Sequence, residues 1–213
     1  MTISAEQTPS GGGARPTARE ALIVAAERLV RERGARSLTT REIAREAGFS
    51  DSTLYVHFAD KAHLLATLCE RWLPDLHGVL GSLVDRVGAA TVEENLRELA
   101  TVAIRVYRDM VPSTFALAGD PELLQYHRAA MRDSGRGPRR GMEAIGAYIA
   151  AEQRLGRVRA DADAMLTASM LLGSCWSRAA LAHYFGEDQI AVDDGTYARG
   201  VAAAVMRGLE LGG

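Results

Sequence analysis

Residues Thr39 to Lys61 read TTREIAREAGFSDSTLYVHFADK, a run with the local signals of two short helices joined by a tight turn and a third starting behind them. Thr39 can cap the first helix, and Glu42, three residues on, completes a capping box. Leu38 before the cap and Ile43 after it are spaced for a hydrophobic staple. Ile43, Ala44 and Ala47 give that helix one inward face. Gly48 suits the left-handed residue that stops a helix, and Phe49 can pack into the corner. Ser50 is an N-cap for a second helix, Asp51 to Phe58, and Asp51 suits the positive end of its dipole. Leu54 and Phe58 lie four apart and face inward, which leaves Asp51, Ser52, Thr53, Tyr55, Val56 and His57 mostly outside. Asp60 is a further cap, so Lys61 opens a third helix. Lys61 is the one lysine of the chain; the other 24 of its 25 basic residues are arginine.

So short a helix pair needs a further helix behind it to bury its apolar face. The upstream segment supplies one. Thr17 with Glu20 has capping-box spacing. Leu22, Ala25, Ala26, Leu29 and Val30 form an apolar stripe, and Gly34 ends the helix. The sum is a compact three-helix unit containing a helix-turn-helix.

Thr17 to about Leu68 resembles the DNA-binding domain of the TetR family of bacterial transcriptional regulators. The matching residues are Ala25-Ala26, Gly34, Thr40, Ile43-Ala44, Ala47-Gly48, Ser50, Thr53-Leu54-Tyr55, His57-Phe58, Lys61 and Leu64-Leu65. The run Ser50-x-x-Thr53-Leu54-Tyr55-x-His57-Phe58-x-x-Lys61 is far more specific than a generic helix-turn-helix. The resemblance covers about a quarter of the chain. It implies an all-α fold with a helical ligand-binding domain, a homodimer, and release from an operator when an effector binds.

The resemblance also assigns expected roles. Ser52, Thr53 and Val56 match recognition-helix positions that face base edges, where Val56 methyls could meet a thymine methyl. Asp51 could accept from a cytosine amino group, but it repels phosphate. Tyr55 and His57 match positions that bond backbone phosphates. Thr40 can bond a phosphate at the start of its helix with Arg41 as a helper, and Ser50 belongs to the same DNA-binding set. Lys61 sits where an ammonium and a helix N-terminus can share a phosphate. The structural alternative is that Tyr55 and His57 are half-buried packing residues, Thr40 only a cap and Lys61 a solvated charge.

The overall charge is near zero. The chain has 213 residues at net −2 and pI near 6.2. Residues 1–67 carry 9 basic and 8 acidic groups, and the remainder 16 and 19. The broad basic field common in nucleic-acid-binding domains is absent. Affinity would rest on a few placed contacts, with a modest salt dependence.

No apolar run reaches the ~18 residues of a membrane span; the longest, Ala164 to Trp176, is interrupted by Thr167, Ser169, Gly173 and Ser174. Nothing at the N-terminus resembles a signal peptide. Residues 1–16 are rich in Gly, Pro, Ser and Thr and are expected to form a disordered arm, from which Arg15 could help to grip a phosphate, as could Arg19 just beyond. Cys69 and Cys175 do not make a disulfide framework. A cytoplasmic protein without a cofactor is the expectation.

After the DNA-binding unit (residues 17–66), residues 67–213 read as one helical domain. Helices are expected over Lys61 to about Leu73, Asp75 to Val87, Thr91 to about Met110 before Pro112, a short piece near Ser113 to Ala118, Pro121 to about Asp133, about Pro138 to Leu155, about Ala162 to Phe185, and about Asp194 to Leu211, nine to ten in all. Ser134 to Arg140 reads as a mobile loop. On the last helix Ala198, Val201, Ala202, Val205, Met206 and Leu209 make an apolar stripe. By the resemblance it is a dimer interface; it would otherwise cover the monomer's own core. Two recognition helices ~34–36 Å apart would then read a palindromic operator of double-stranded DNA.

Candidate pocket residues on the middle helices are Tyr107, Met110, Phe115, Tyr126, His127, Met131, Tyr148, Met170, Cys175 and Trp176. Apolar walls with a few polar anchors suit an apolar or aromatic effector, with Arg105 or His127 as the anchor. Each residue taken singly reads more readily as core than as ligand contact, and Trp176 could equally sit at the dimer interface. A ligand tilting the helix that starts at Lys61 would change the spacing of the two DNA-binding heads. The rival readings are a regulator driven by a partner protein, and an enzyme. For an enzyme there is no Gly-rich phosphate loop, nucleophile elbow or HExxH pair, and Asp161-x-Asp163 is explained by a helix cap.

Overall fold

The computed structural model describes residues 16–35, 38–71, 73–134 and 137–209. Residues 1–15, including Arg15, the tip of the expected 134–140 loop and the C-terminal end past Leu209 lie outside the described residues. The chain is all-α: α1 (Ala18–Arg33), α2 (Thr40–Glu46), α3 (Asp51–His57), α4 (Lys61–Glu70), α5 (Leu73–Ser82), α6 (Val92–Ala118), α7 (Pro121–Ser134), α8 (Pro138–Arg154), α9 (Ala164–Phe185) and α10 (Asp194–Arg207).

Helix ends follow the side-chain caps. The Thr39–Glu42 box is complete in both directions, and so is the Thr91–Glu94 box at the start of α6. At α1 only half of the expected box forms. Thr17 Oγ1 accepts from the Glu20 amide at 3.2 Å, while the Glu20 carboxylate turns to Arg71, the C-cap of α4, 2.8 Å away. Gly34, Gly48, Gly88, Gly156 and Gly186 take positive φ where helices or turns stop.

Three expected boundaries move. α6 does not stop before Pro112 but runs unbroken to Ala118. Pro112 removes one ladder bond, yet Val111, Ser113 and Leu117 around it are buried, so tertiary packing carries the helix through. Pro74 sits in the first turn of α5, where its missing N–H costs nothing, instead of closing α4. The expected Asp75–Val87 helix ends at Ser82 and is followed by a 3-10 turn over Val84–Arg86.

Two hydrophobic cores result. One gathers Leu22, Ala26, Leu29, Ile43, Leu54, Phe58, Leu64 and Leu68 from α1 to α4. It also takes in Leu117 at the end of α6 and Leu123 at the start of α7. The other is built on α6, α8, α9 and α10 around Leu96, Leu99, Ile104, Ile149, Leu171 and Ala202. Its polar members are paired: Asn95 donates to the Tyr148 hydroxyl at 2.9 Å, and Glu152 accepts from the Gly88 amide at 3.1 Å. Among the described residues no helix is long and apolar enough to cross a membrane.

Candidate nucleic-acid interface and internal cavity

α3 is fixed from beneath and open above. Leu54 and Phe58 are fully buried in the head core. The Ser50 hydroxyl accepts from the Thr53 amide at 3.3 Å and lies 2.8 Å from the Ser52 hydroxyl and 2.9 Å from the Thr53 hydroxyl. The outer face carries Ser52, Tyr55 and Val56, the last two 53% and 79% exposed. Tyr55 is therefore not a packing residue. Its hydroxyl lies 3.3 Å from Thr40 Oγ1, so α2 and α3 present two hydroxyls side by side. Arg41 is exposed next to them, while Thr53, His57 and Lys61 are half-buried. Asp51 differs from the sequence expectation: its Oδ1 is buried and points away from solvent. Phe49 is half-exposed at the corner instead of packing into it.

Lys61 stands at the first turn of α4, behind the Asp60 cap that accepts from the His63 amide at 2.7 Å. Partial burial holds its amine below the ordinary lysine range, opposed by the charges of Asp120 and Glu42. Arg19 is stacked over the Phe58 ring at 5.2 Å.

A cavity of about 430 Å³ lies between α5, α6, α7, α8 and α9. Of the ten candidate residues it brings together Tyr107, Met110, His127, Met131 and Trp176. Tyr107 and Trp176 meet edge to face, their centroids 5.3 Å apart. Burial pushes the Tyr107 phenol up to about 12, so it stays protonated at any physiological pH. The other five candidates lie elsewhere. Tyr148 is buried on Asn95, and Cys175 is buried with its thiol toward the Ala100 carbonyl. Phe115 is exposed against Tyr184, Tyr126 is exposed on α7, and Met170 is exposed on α9. Arg105 reaches Asp75 at 3.3 Å on the surface and does not line the cavity.

The sequence reading missed the α5 wall, Leu73, Leu76, His77 and Leu80, and also Thr114, Met142, Ser169 and Leu172. The α5 signal was present as an apolar face at helical spacing with a single histidine on it. Asp161 and Asp163 have structural duties: Asp163 caps α9, and Asp161 pairs with Arg159 at 2.5 Å.

Residues 22–68, which span α1 to α4 of the head, match the model of the bacterial regulatory proteins of the TetR family. Over that segment the chain is similar to the TetR family. Solved structures place the rest of the chain on the same fold. One ascribed to the TetR family, from Mesorhizobium loti, has a TM-score of 0.71 at 19% identity, covering 91% of this chain and 97% of its own. SmeT, the repressor of the Stenotrophomonas maltophilia multidrug efflux pump SmeDEF, has 0.68 at 21%, covering 92% and 91%. The Bacillus subtilis regulator FadR, in complex with stearoyl-CoA, has 0.67 at 18%, covering 89% and 98%. No curated protein matches the sequence significantly.

Behind the TetR-type head, the α10 stripe is largely used within the chain. Ala198, Ala202, Val205 and Leu209 are buried in the chain's own core, while Val201 and Met206 are partly covered by it. The apolar face left open belongs to α9, where Leu166, Met170, Leu181 and Tyr184 are exposed at helical spacing. On α10 the outward residues are Arg199, Gly200, Ala204 and Arg207.

Proposed function

We propose that the chain is a homodimeric, cytoplasmic transcriptional repressor that leaves a palindromic operator when a small apolar or aromatic molecule enters the α5–α9 cavity. The observation that carries this reading is shared use of two helices. α6 contributes Leu117 to the head core and Tyr107, Met110 and Thr114 to the cavity. α7 contributes Leu123 to the first and His127 and Met131 to the second. A molecule in the cavity touches the rods on which the head is seated. Such a molecule shifts the head only if it binds the two head positions with different affinity, and a tenfold loss of DNA affinity needs about 1.4 kcal/mol of that difference.

On the head, Tyr55, Thr40, His57, Arg41, Ser50 and Lys61 are the proposed phosphate contacts, and Ser52, Thr53 and Val56 the base-facing group. Pairing through the exposed α9 face and the outer side of α10 would set two heads side by side. A cavity this size lies within the usual ~300–1,000 Å³ range for ligand sites, which favours an effector over control by a partner protein alone. The stearoyl-CoA in the B. subtilis relative lends further support.

The test is selection of bound duplexes from a random-sequence pool by the full chain. A palindrome with half-sites one helical turn or a multiple apart is the expected product. Recovery of no enriched duplex would sink the reading.

A further inference from the structure

We propose, building on the ligand-responsive reading above, that the cavity selects an uncharged aromatic molecule bearing a hydroxyl group, held by the Tyr107 and Thr114 hydroxyls of α6 with His77 and His127 beside them. The walls favour a flat ring. Tyr107 and Trp176 stand edge to face, so one ring offers its face where the other offers its edge. Met110, Met131 and Met142 line the same space, and thioethers adapt to ring edges through favourable sulfur–aromatic contacts.

The polar groups define the anchor. Thr114 donates its hydroxyl proton to the Met110 carbonyl at 3.0 Å, so toward the cavity it is an acceptor. Tyr107 keeps its proton and can donate. A ligand hydroxyl both donates and accepts, the two capacities that these groups call for.

Charge is the other filter. Among the described residues the lining contains no Asp, Glu, Lys or Arg. Arg105 is held outside by Asp75. A carboxylate, phosphate or ammonium would leave water without a full counter-charge, which costs far more than moving a hydroxyl. The cavity thus discriminates by charge as well as by shape.

The experiment is isothermal titration of the full chain at pH 7.5 with 2-naphthol, naphthalene, 2-naphthoate and 2-naphthylmethylammonium. 2-Naphthol is expected to bind at least about tenfold more tightly than either ion. Tyr107→Phe and Thr114→Val should each weaken 2-naphthol by about fivefold and leave naphthalene within about twofold. Equal or tighter binding of either ion overturns the proposal, as does binding of 2-naphthol that both variants leave unchanged. Absence of 2-naphthol binding overturns it too. Duplex binding by the same preparation separates the two readings: retained DNA binding without 2-naphthol binding removes only the ligand chemistry, and loss of both removes the regulator reading as well.

Discussion

Arg31 Nη2 lies 3.0 Å from Asp109 Oδ1, joining α1 of the DNA-binding head to α6 at the residue next to Met110 of the cavity wall. Arg31 also pairs with Glu27 at 2.8 Å, Glu27 faces Arg71, the C-cap of α4, at 3.8 Å, and Arg71 meets Glu20 at 2.8 Å. α1, α4 and α6 therefore share one charged seam. Asp109→Asn tests whether the seam transmits. The Arg31 and Asp109 side chains are 44% and 33% exposed, so the pair is worth at most about 1 kcal/mol. The melting temperature should fall by no more than about 4 °C. DNA affinity without ligand should stay within about twofold, while the loss of affinity caused by 2-naphthol should shrink severalfold. Fluorescence anisotropy of a labelled operator reads both. An unchanged ligand response would make the seam a passive strut.

The Thr40–Tyr55 hydroxyl pair and Lys61 define the second prediction. Tyr55→Phe and Lys61→Ala remove phosphate contacts without touching Leu54 or Phe58, so the melting temperature should hold. Each should weaken operator binding by roughly tenfold per half-site engaged, as expected for losing a hydrogen bond to a charged group worth about 1.5 kcal/mol. Lys61→Ala should also lower the slope of log affinity against log salt by about 1 for each phosphate it neutralises. Tyr55→Phe should leave that slope alone, because it removes no charge. Full affinity in either variant would take that residue off the contact face.

The head was legible in the sequence because its signals are local. Thr39–Glu42, Gly48, Ser50 and Asp60 each act within a few residues, and all four appear as expected. What failed there depended on a distant partner: Glu20 prefers Arg71 to its own cap. Pro112 was misread for the same reason, since the burial of Val111 and Leu117 comes from other helices. The cavity was half legible. Tyr107, Met110, His127, Met131 and Trp176 lie on it, but Tyr148 and Cys175 look identical in sequence and are core. Which side of an apolar helix faces a void and which faces a neighbour is a tertiary fact. On α10 it went against the expectation, because Ala198, Ala202 and Val205 face α6 and α9 of their own chain.

Asp194 supplies a pH dependence. Burial pushes its carboxyl up, but hydrogen bonds and charges from Arg108 and Arg178 outweigh that and hold it below the usual carboxylate range. Arg178 is itself buried, with Nε 2.9 Å from Asp194 Oδ1. A depressed folded pKa means that the stabilisation is complete above the unfolded value of ~3.9 and is lost as pH falls through the lower folded one. Asp194→Ala leaves Arg178 underpaired. The cost should be about 2–3 kcal/mol, under the ~3–5 of a fully buried pair because Asp194 is partly solvated. Thermal melts should show roughly a 5–10 °C loss at pH 7. Wild type and variant should converge as the pH is taken well below 3.9. A constant gap down to the acid-unfolding range would refute the linkage.

The last prediction contrasts two leucine-class positions that a helical wheel cannot tell apart. Leu181 is exposed on α9, and Val205 of α10 is 8% exposed in the core. If the α9 face is where two copies meet, Leu181→Glu should sediment as a monomer near 22.9 kDa while the wild type runs at about twice that mass. Its secondary structure should be retained, since surface substitutions change stability by only about 0.5 kcal/mol. Val205→Arg should instead lose the fold, because it buries a charge among α6 and α9 side chains without a partner. Operator binding should then separate the effects: the Leu181→Glu monomer still contacts one half-site, so its affinity falls steeply while half-site specificity survives. A Leu181→Glu protein that remains a dimer would move the interface off α9.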